Sequence, residues 1–206
     1  MESRSLIEGR LNFPYGVCWS TTTEELLVAD TSNHCVQTFD ANGRFVRIIG
    51  KSLQKNDDDE TVINNSTTPF QSPFDVCTQQ PHLPSVIFVA DSKHQRISIW
   101  DPSGQQQIDE LHTTGYPRGV CTDLLGRLHI STVSPSRVWI YDVKMMKMLQ
   151  CLGEGEGSGS RDGASAIDRS GNVGEFASPT GLCVDEWNRL WVCDSSNQRV
   201  QMFEIR

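Results

Sequence analysis

Short apolar stretches alternate with turn-forming residues along almost the whole chain. Stretches such as 87–89 and 97–100 are rich in β-branched and aromatic residues, and Asn, Asp, Gly and Ser are frequent between such stretches. This pattern is typical of short β-strands joined by tight turns. No segment has a helical periodicity of useful length, so the chain is predicted to be all-β.

The strand pattern recurs four times. Each copy has a first strand that contains P-x-G-V-C or a close variant, a second strand that usually ends in V-A-D, and a third strand of alternating apolar residues. A fourth strand is predicted after a turn such as 40–43. Four antiparallel strands per copy form one blade of a β-propeller. The chain is therefore predicted to be a single propeller domain over residues 1–206, with repeats at 13–50, 70–109, 115–152 and 176–206.

The last repeat contains three of its four predicted strands. Residues 4–9 have a pattern similar to that of 46–50, the fourth strand of the first repeat. We therefore expect the N-terminal strand to complete the last blade, because an open sheet edge would otherwise remain. The alternative is an incomplete propeller that associates with further repeats or with another copy of the chain.

The repeat motif resembles the NHL repeat. The segments 30–34 (Asp-Thr-Ser-Asn-His) and 194–199 (Asp-Ser-Ser-Asn-Gln-Arg) carry the resemblance most clearly, together with P-x-G-V and F-D-x-x-G. The resemblance implies a propeller, although NHL propellers typically have six blades. It also implies a recognition module, as in tripartite-motif and RING-type NHL proteins, where one face binds protein or single-stranded RNA. NHL-like folds also include lyases and hydrolases with a metal at the axis.

Three repeated positions are interpreted as structural rather than catalytic. The aspartate that ends the second strand is expected to accept hydrogen bonds from the turn that follows. The repeated arginine is expected to pair with an aspartate, within a blade or between blades. The cysteine of the first strand stands where a small residue packs, which is favoured over a zinc site. These positions are Asp30, Asp91 and Asp194; Arg96, Arg137 and Arg199; and Cys18, Cys77, Cys121 and Cys183. No catalytic residue, metal site or cofactor is predicted.

The net charge and the cysteine content limit which binding partners and which cellular compartment are expected. The formal net charge of −8 disfavours DNA and anionic membranes as partners. Seven cysteines without a CxxC pair indicate a reducing environment, so a cytoplasmic location is expected.

The direction of the strands gathers several repeat positions on one face. In an up-and-down blade, the residues around P-x-G, the residues just after V-A-D and the loops between blades all lie at the same end of the strands. Aromatic and arginine residues there are typical of binding hot spots. The acidic segments 51–68 and 154–175 are expected beside them. The candidate binding residues on this P-x-G face are Tyr15, Thr31, Phe74, Ser92, Tyr116, Arg118, Thr180 and Ser195.

The sequence thus predicts a non-catalytic module that binds a protein partner through the P-x-G face, with substrate recruitment for a ubiquitin-ligase assembly as one role. Two alternatives stay open. The first is binding of single-stranded RNA by base stacking on the aromatic residues. The second is a metal-dependent lyase or hydrolase of the NHL-like propeller type.

Overall fold

The computed structural model describes residues 8–50, 53–55, 61–63, 69–79, 85–153, 165–166 and 174–205. Its described residues form strands and three short 3₁₀ turns, and within these ranges no helix has the length and hydropathy that a membrane span requires. The strands are β1 (Pro14–Ser20), β2 (Glu25–Asp30), β3 (Cys35–Phe39), β4 (Phe45–Ile49), β5 (Leu53–Lys55), β6 (Thr61–Ile63), β7 (Pro73–Thr78), β8 (Ile87–Asp91), β9 (Arg96–Trp100), β10 (Gln107–His112), β11 (Tyr116–Thr122), β12 (Arg127–Val133), β13 (Arg137–Asp142), β14 (Lys147–Leu152), β15 (Ser165–Ala166), β16 (Pro179–Val184), β17 (Arg189–Asp194) and β18 (Arg199–Glu204).

Four antiparallel sheets of four strands form the blades of a β-propeller, as the repeats predict. Blade 1 has the order β1-β2-β3-β4, blade 2 the order β7-β8-β9-β10, and blade 3 the order β11-β12-β13-β14. Blade 4 has the order β16-β17-β18-β15. A separate two-stranded hairpin, β5-β6, lies within the predicted acidic segment 51–68. The rest of that segment is outside the described residues.

The outer strand of blade 4 differs from the prediction. Ser165 and Ala166 pair with Met202 and Gln201 of β18, so β15 occupies the position expected for the N-terminal strand 4–9. Residues 4–7 lie outside the described residues, while the N–H of Gly9 donates to the side chain of Gln37 in blade 1. In the chain, β15 precedes the first strand of blade 4.

Apolar side chains between successive blades form the core. One cluster joins Leu27 and Ala29 of blade 1 to Val76 and Val89 of blade 2. Equivalent clusters join blade 2 to blade 3 and blade 3 to blade 4. The first strands β1, β7, β11 and β16 pack against one another in chain order, so they line the inner side of the propeller. Within the described residues, blades 1 and 4 share no such packing.

A buried aspartate fixes the entry of the chain into three of the blades. Asp30, Asp91 and Asp194 are fully buried at the ends of their second strands. In each of them Oδ1 accepts a backbone N–H, at 2.7 Å, from a residue just before the first strand; the donors are Asn12, Gln71 and Ala177. The predicted structural role agrees with these contacts, but the backbone donors precede the first strand and do not come from the turn after the aspartate.

The second carboxylate oxygen of each aspartate holds the turn and the third strand. Asn33 and Asn197 donate to Oδ2 of Asp30 and Asp194 at 2.7 and 2.8 Å. Arg96 and Arg199 donate to Asp91 and Asp194 within their own blades, at 2.9 and 2.8 Å. Blade 3 has Thr132 at the aspartate position, and there Arg137 donates to the carbonyl of Gly153 instead. The repeated Asp–Arg pairing is therefore within a blade.

The glycine of the P-x-G motif allows neighbouring first strands to approach closely. A Cβ added at Gly119 of β11 would lie 2.0 Å from the carbonyl oxygen of Thr180 in blade 4. A Cβ added at Gly16 would lie 2.1 Å from Oδ1 of Asp75 in blade 2. At Gly181, in the last blade, the nearest atom would be Sγ of Cys193 at 3.7 Å, which is an ordinary contact.

Gly119→Ala should destabilise the fold by about 1–3 kcal/mol, because the added methyl group overpacks the boundary between blades 3 and 4. Urea unfolding at low protein concentration measures this change. Gly181→Ala is the matched control and should leave the unfolding midpoint close to that of the wild type. Equal effects of the two substitutions would contradict the described packing.

Asp194→Ala should cost about 3–5 kcal/mol, because it leaves the buried guanidinium of Arg199 without its carboxylate and the N–H of Ala177 without an acceptor. Thermal unfolding measured by circular dichroism reports this loss. The exposed Glu186, in a turn of the same blade, serves as the control, and Glu186→Ala should change stability little. A small effect of Asp194→Ala would show that the blade entry is held in another way.

Candidate functional site

A cleft of about 780 Å³ opens on the P-x-G face, where blades 1, 2 and 3 meet. Its lining comes from the beginnings of the first strands and from the 3₁₀ turns that follow the second strands of blades 1 and 2. The lining residues are Phe13, Tyr15, Thr31, Ser32, Gln71, Ser72, Phe74, Ser92, Lys93, Tyr116 and Arg118. Six of the eight residues predicted for binding are therefore brought together in one concave surface.

A row of three side chains crosses the cleft from blade to blade. The rings of Tyr15 and Phe74 lie 4.8 Å apart between centroids, with an angle of 32° between their planes. The guanidinium carbon of Arg118 lies 3.7 Å from the centroid of the Phe74 ring. The three residues occupy the same position of the P-x-G motif in blades 1, 2 and 3, so the stack follows directly from the repeat. A stacked aromatic–arginine row presents flat apolar surface and a positive charge together.

The electrostatics of the lining are cationic. Lys93 and Arg118 are its charged residues, and none of the lining residues is an aspartate or a glutamate. Burial lowers the pKa of Arg118 from its usual value, and the nearby Tyr15 partly opposes this shift. Arginine nevertheless stays protonated at any physiological pH. The cleft thus combines exposed aromatic surface with positive charge, although the chain as a whole is acidic.

Hydrogen bonds between blades fix the wall of the cleft. The hydroxyl of Thr31 in blade 1 donates to the carbonyl of Pro73 in blade 2 at 2.6 Å. The N–H of Ser72 donates to Nδ1 of His34 at 3.0 Å. Both contacts join the turn of one blade to the first strand of the next, so the positions of Ser72 and Phe74 depend on blade 1. Such a wall is largely formed before any ligand binds.

Asp75 lies half-buried next to Phe74 and links blades 2 and 3. It occupies the glycine position of the motif, and its two carboxylate oxygens accept the N–H groups of Val76 and Val120, each at 2.9 Å. Burial raises the pKa of Asp75 to about 6, although both hydrogen bonds oppose this shift. A carboxylate with a raised pKa just beneath the cleft therefore makes the stability of this region dependent on pH.

The other two predicted binding residues are in blade 4. The hydroxyl groups of Thr180 and Ser195 lie 2.7 Å apart and form a hydrogen bond with each other. Neither residue lines the cleft, because blade 4 follows blade 3 and lies beyond Arg118. The acidic segment 154–175, predicted beside them, is outside the described residues except for 165–166 and 174–175.

Sequence reasoning missed five lining residues: Phe13, Ser32, Gln71, Ser72 and Lys93. Phe13 and Ser72 precede the proline of the motif, and both have a left-handed backbone, with φ of 50° and 54°. This conformation is uncommon for residues with a side chain, and such residues are concentrated at functional sites. The repeated X-Pro pair at the start of the first strand is the sequence feature that could have identified these two residues as part of the site.

The described residues show no arrangement that could bind a catalytic metal. Within these ranges, no three His, Cys, Asp or Glu side chains are placed to hold an ion together. The four cysteines of the first strands do not converge: Cys77 and Cys121 are buried between blades, Cys18 is half-buried against Thr78, and Cys183 is exposed. Burial raises the pKa of Cys77 and Cys121 well above the usual value for a thiol.

Comparison with known proteins agrees with the repeat geometry. A sequence model of the NHL repeat matches residues 11–39 and 176–203, which carry the motif of blades 1 and 4. Protein brain tumor of Drosophila melanogaster is 28% identical over 139 residues, which cover 66% of this chain and 12% of that protein. The chain therefore carries NHL repeats in blades 1 and 4. It spans only about an eighth of the length of this curated relative.

Solved structures share the fold of this NHL propeller at low sequence identity. A streptogramin B lyase superimposes with a TM-score of 0.58 at 13% identity, over 94% of this chain and 53% of the lyase. The WD40 propeller domain of Doa1 superimposes with a TM-score of 0.57 at 10% identity, over 94% of this chain and 51% of that chain. The NHL chain thus spans about half the length of these propellers, and the likeness concerns the fold alone.

The stability of the chain should fall by on the order of 1–3 kcal/mol as the pH rises from about 4 to about 6. A carboxyl group whose pKa is raised by folding binds its proton more tightly in the folded chain. Its contribution is therefore complete below the ordinary pKa of 3.8 and is lost as the pH passes through about 6. Urea unfolding of the wild type and of Asp75→Asn across this pH range measures the effect. The slope should be absent in Asp75→Asn, and parallel curves would contradict the assignment.

Proposed function

We propose that this NHL propeller is a non-catalytic recognition module and that the cleft on its P-x-G face binds a segment of a partner protein. The observation that carries the proposal is the row formed by Tyr15, Phe74 and Arg118, which places three stacked groups from three blades in one concave surface. Aromatic and arginine side chains dominate the binding energy of many protein interfaces.

The shape and chemistry of the cleft favour an extended ligand. The stack crosses blade boundaries, so a segment that lies across it contacts each first strand in turn. Ser32 and Lys93 are exposed and belong to the turns that border the cleft, where they can pair with polar and acidic groups of a ligand. We therefore propose a protein segment in which aromatic or aliphatic residues are followed by acidic ones.

Single-stranded RNA is the second candidate ligand. Bases stack on aromatic and guanidinium planes, and phosphates pair with cations. The lining supplies both features through Tyr15, Phe74 and Arg118, with Lys93 at the side, and it includes no carboxylate. The net charge of −8 acts against this ligand at long range. For this reason protein is the primary proposal.

Two more specific hypotheses concern the assembly in which the module acts and its cellular compartment. The family resemblance supports a role in which the propeller recruits substrates for a larger ubiquitin-ligase assembly. The seven cysteines support a reducing, cytoplasmic compartment, since no two of them form a disulfide. Catalysis by a metal-dependent lyase or hydrolase is the least supported function, because no three His, Cys, Asp or Glu side chains among the described residues are placed to hold a metal ion.

A variant that combines Tyr15→Ala, Phe74→Ala and Arg118→Ala should lose the partners that the wild-type chain captures. Capture from a lysate of the source cells, followed by mass spectrometry, measures this loss, and each hot-spot residue is expected to cost about 2 kcal/mol or more of binding energy. Treatment of the lysate with ribonuclease separates the two ligands, since capture through RNA should disappear and capture of a protein segment should persist.

The matched control is Trp187→Ala. Trp187 is highly exposed and stacks on Arg189, with 4.6 Å from the guanidinium carbon to the ring centroid, but it belongs to the β16–β17 turn at the opposite end of the strands. This control should capture the same partners as the wild type. If the triple variant keeps its partners while its circular dichroism spectrum and unfolding midpoint are normal, the cleft is not the binding site.

A further inference from the structure

Two serine side chains in the lining of the cleft are almost completely buried and have no hydrogen-bond partner in the described part of the chain. Ser92 is 3% exposed and Ser72 is 8% exposed. A buried hydroxyl without a partner costs free energy, because it has lost water and gained nothing in return. Both hydroxyl groups are therefore available to a polar group of a ligand that enters the cleft.

The motif position of Ser92 has a partnered hydroxyl in two other blades. In blade 1 the hydroxyl of Thr31 donates to the carbonyl of Pro73 at 2.6 Å, and in blade 4 the hydroxyls of Ser195 and Thr180 lie 2.7 Å apart. Ser92 follows the buried aspartate of blade 2 in the same way, yet within the described ranges its hydroxyl makes neither contact. The repeat thus satisfies this hydroxyl elsewhere and leaves it available at the boundary between blades 2 and 3.

Arg118 is a half-buried cation that has no carboxylate partner among the described residues. Arg96 and Arg199, by contrast, each donate to a fully buried aspartate. The guanidinium carbon of Arg118 lies 3.7 Å from the centroid of the Phe74 ring. A guanidinium stacked on a ring can still donate from the N–H groups in its plane. Arg118 therefore offers a partly desolvated positive charge to an anion.

Lys93 brings a second positive charge to the same part of the cleft. It belongs to the 3₁₀ turn 92–94, and its side chain is exposed. This turn packs against β11, the strand of Arg118. The N–H of Lys93 donates to the carbonyl of Gln71 at 3.1 Å, which holds the turn next to the beginning of blade 2. The two cations and the two hydroxyls therefore share one concave surface.

The carboxylates next to these residues in the chain already have partners. Asp91 precedes Ser92, but Arg96 donates to it at 2.9 Å. Asp75 follows Phe74, and its two oxygens accept backbone N–H groups at 2.9 Å, one of them from Val120 in blade 3. Neither aspartate lines the cleft. An anionic ligand thus meets positive charge and hydroxyl groups there.

We propose that the cleft binds the phosphate of a phosphorylated side chain in its partner segment. The groups that would hold the phosphate, called the donor cluster below, are Ser72, Ser92, Lys93 and Arg118. This inference rests on the proposed function of the cleft. All four residues belong to blades 2 and 3, and each of these blades packs against a blade on either side.

The charge of the donor cluster favours a phosphate monoester over other anions. A phosphorylated side chain carries about 1.5 to 2 negative charges at neutral pH and three strong acceptor oxygens. Two cations and two hydroxyl donors match that group. A carboxylate, or the phosphodiester of an RNA backbone, carries a single charge and leaves one of the two cations without a partner. The described lining therefore fits the doubly charged group best.

Binding to peptide libraries on beads tests the proposal. The central residue of each library is phosphotyrosine, phosphoserine or phosphothreonine, with randomised residues on both sides, and matched libraries carry the unmodified residue. The chain should bind one or more of the phosphorylated libraries about tenfold or more tightly than the unmodified counterpart, because the donor cluster makes hydrogen bonds to a charged group. The library that is preferred identifies the side chain that carries the phosphate.

Lys93→Ala and Ser92→Ala test the donor cluster without changing the aromatic row. Each should reduce the preference for the phosphorylated library, Lys93→Ala by about tenfold. The matched controls are Lys144→Ala and Ser103→Ala, which should keep the preference. Lys144 is exposed in the β13–β14 turn, and Ser103 donates to Asp101 in the β9–β10 turn, so both lie at the opposite end of the strands. Normal circular dichroism spectra and unfolding midpoints establish that the variants fold.

Four results would overturn the proposal. Equal binding of phosphorylated and unmodified libraries would show that the cleft takes peptides without regard to phosphate, which leaves the proposed function intact. Binding of no library would also overturn it, and capture from the lysate by the wild type and the triple variant then decides the proposed function separately. A phosphate preference that both donor-cluster variants retain would place the phosphate site elsewhere. Single-stranded oligouridylate that competes as well as the phosphopeptides would indicate a phosphodiester ligand.

Discussion

The buried aspartate at the end of the second strand is the interaction on which the rest of the structure depends. In blades 1, 2 and 4 this one carboxylate accepts a backbone N–H from the segment that enters the blade and a side-chain donor from the turn that leaves the second strand. It thereby fixes the entry of the chain relative to the turn at the same end of the blade. Both segments line the P-x-G face. The fully buried carboxylates below that face therefore determine its geometry.

The repeat made the architecture predictable, because each blade repeats the same strand pattern and the same kinds of turn residue. The stack of Tyr15, Phe74 and Arg118 was predictable as a set, since the three residues share one motif position. The contacts of the aspartates were harder to predict. Their backbone donors Asn12 and Gln71 lie some twenty residues earlier in the chain. The residue type of neither donor indicates that its N–H binds a buried aspartate. The outer strand of blade 4 was assigned to residues 4–9 from a similarity of pattern, which says little about which segment runs past β18.

The same repeat explains why one chain carries two kinds of surface. Within the propeller, apolar residues are buried wherever a blade has a neighbour, and the glycine of the P-x-G motif lets the first strands approach each other. At blades 1 and 4 the same residue types are exposed because the neighbour is absent from the described residues. The cleft is different: its aromatic residues vary from copy to copy, and its lining adds cations. Positions that repeat therefore serve the packing, and positions that vary shape the cleft that we propose as the binding site.

The most direct test of the recognition face is amide hydrogen exchange of the chain with and without a partner that it captures. We expect binding to slow exchange in segments 13–16, 31–33, 71–74 and 116–119, which line the cleft, and to leave the β11–β12 and β16–β17 turns unchanged. Protection confined to those turns, at the opposite end of the strands, would contradict the account.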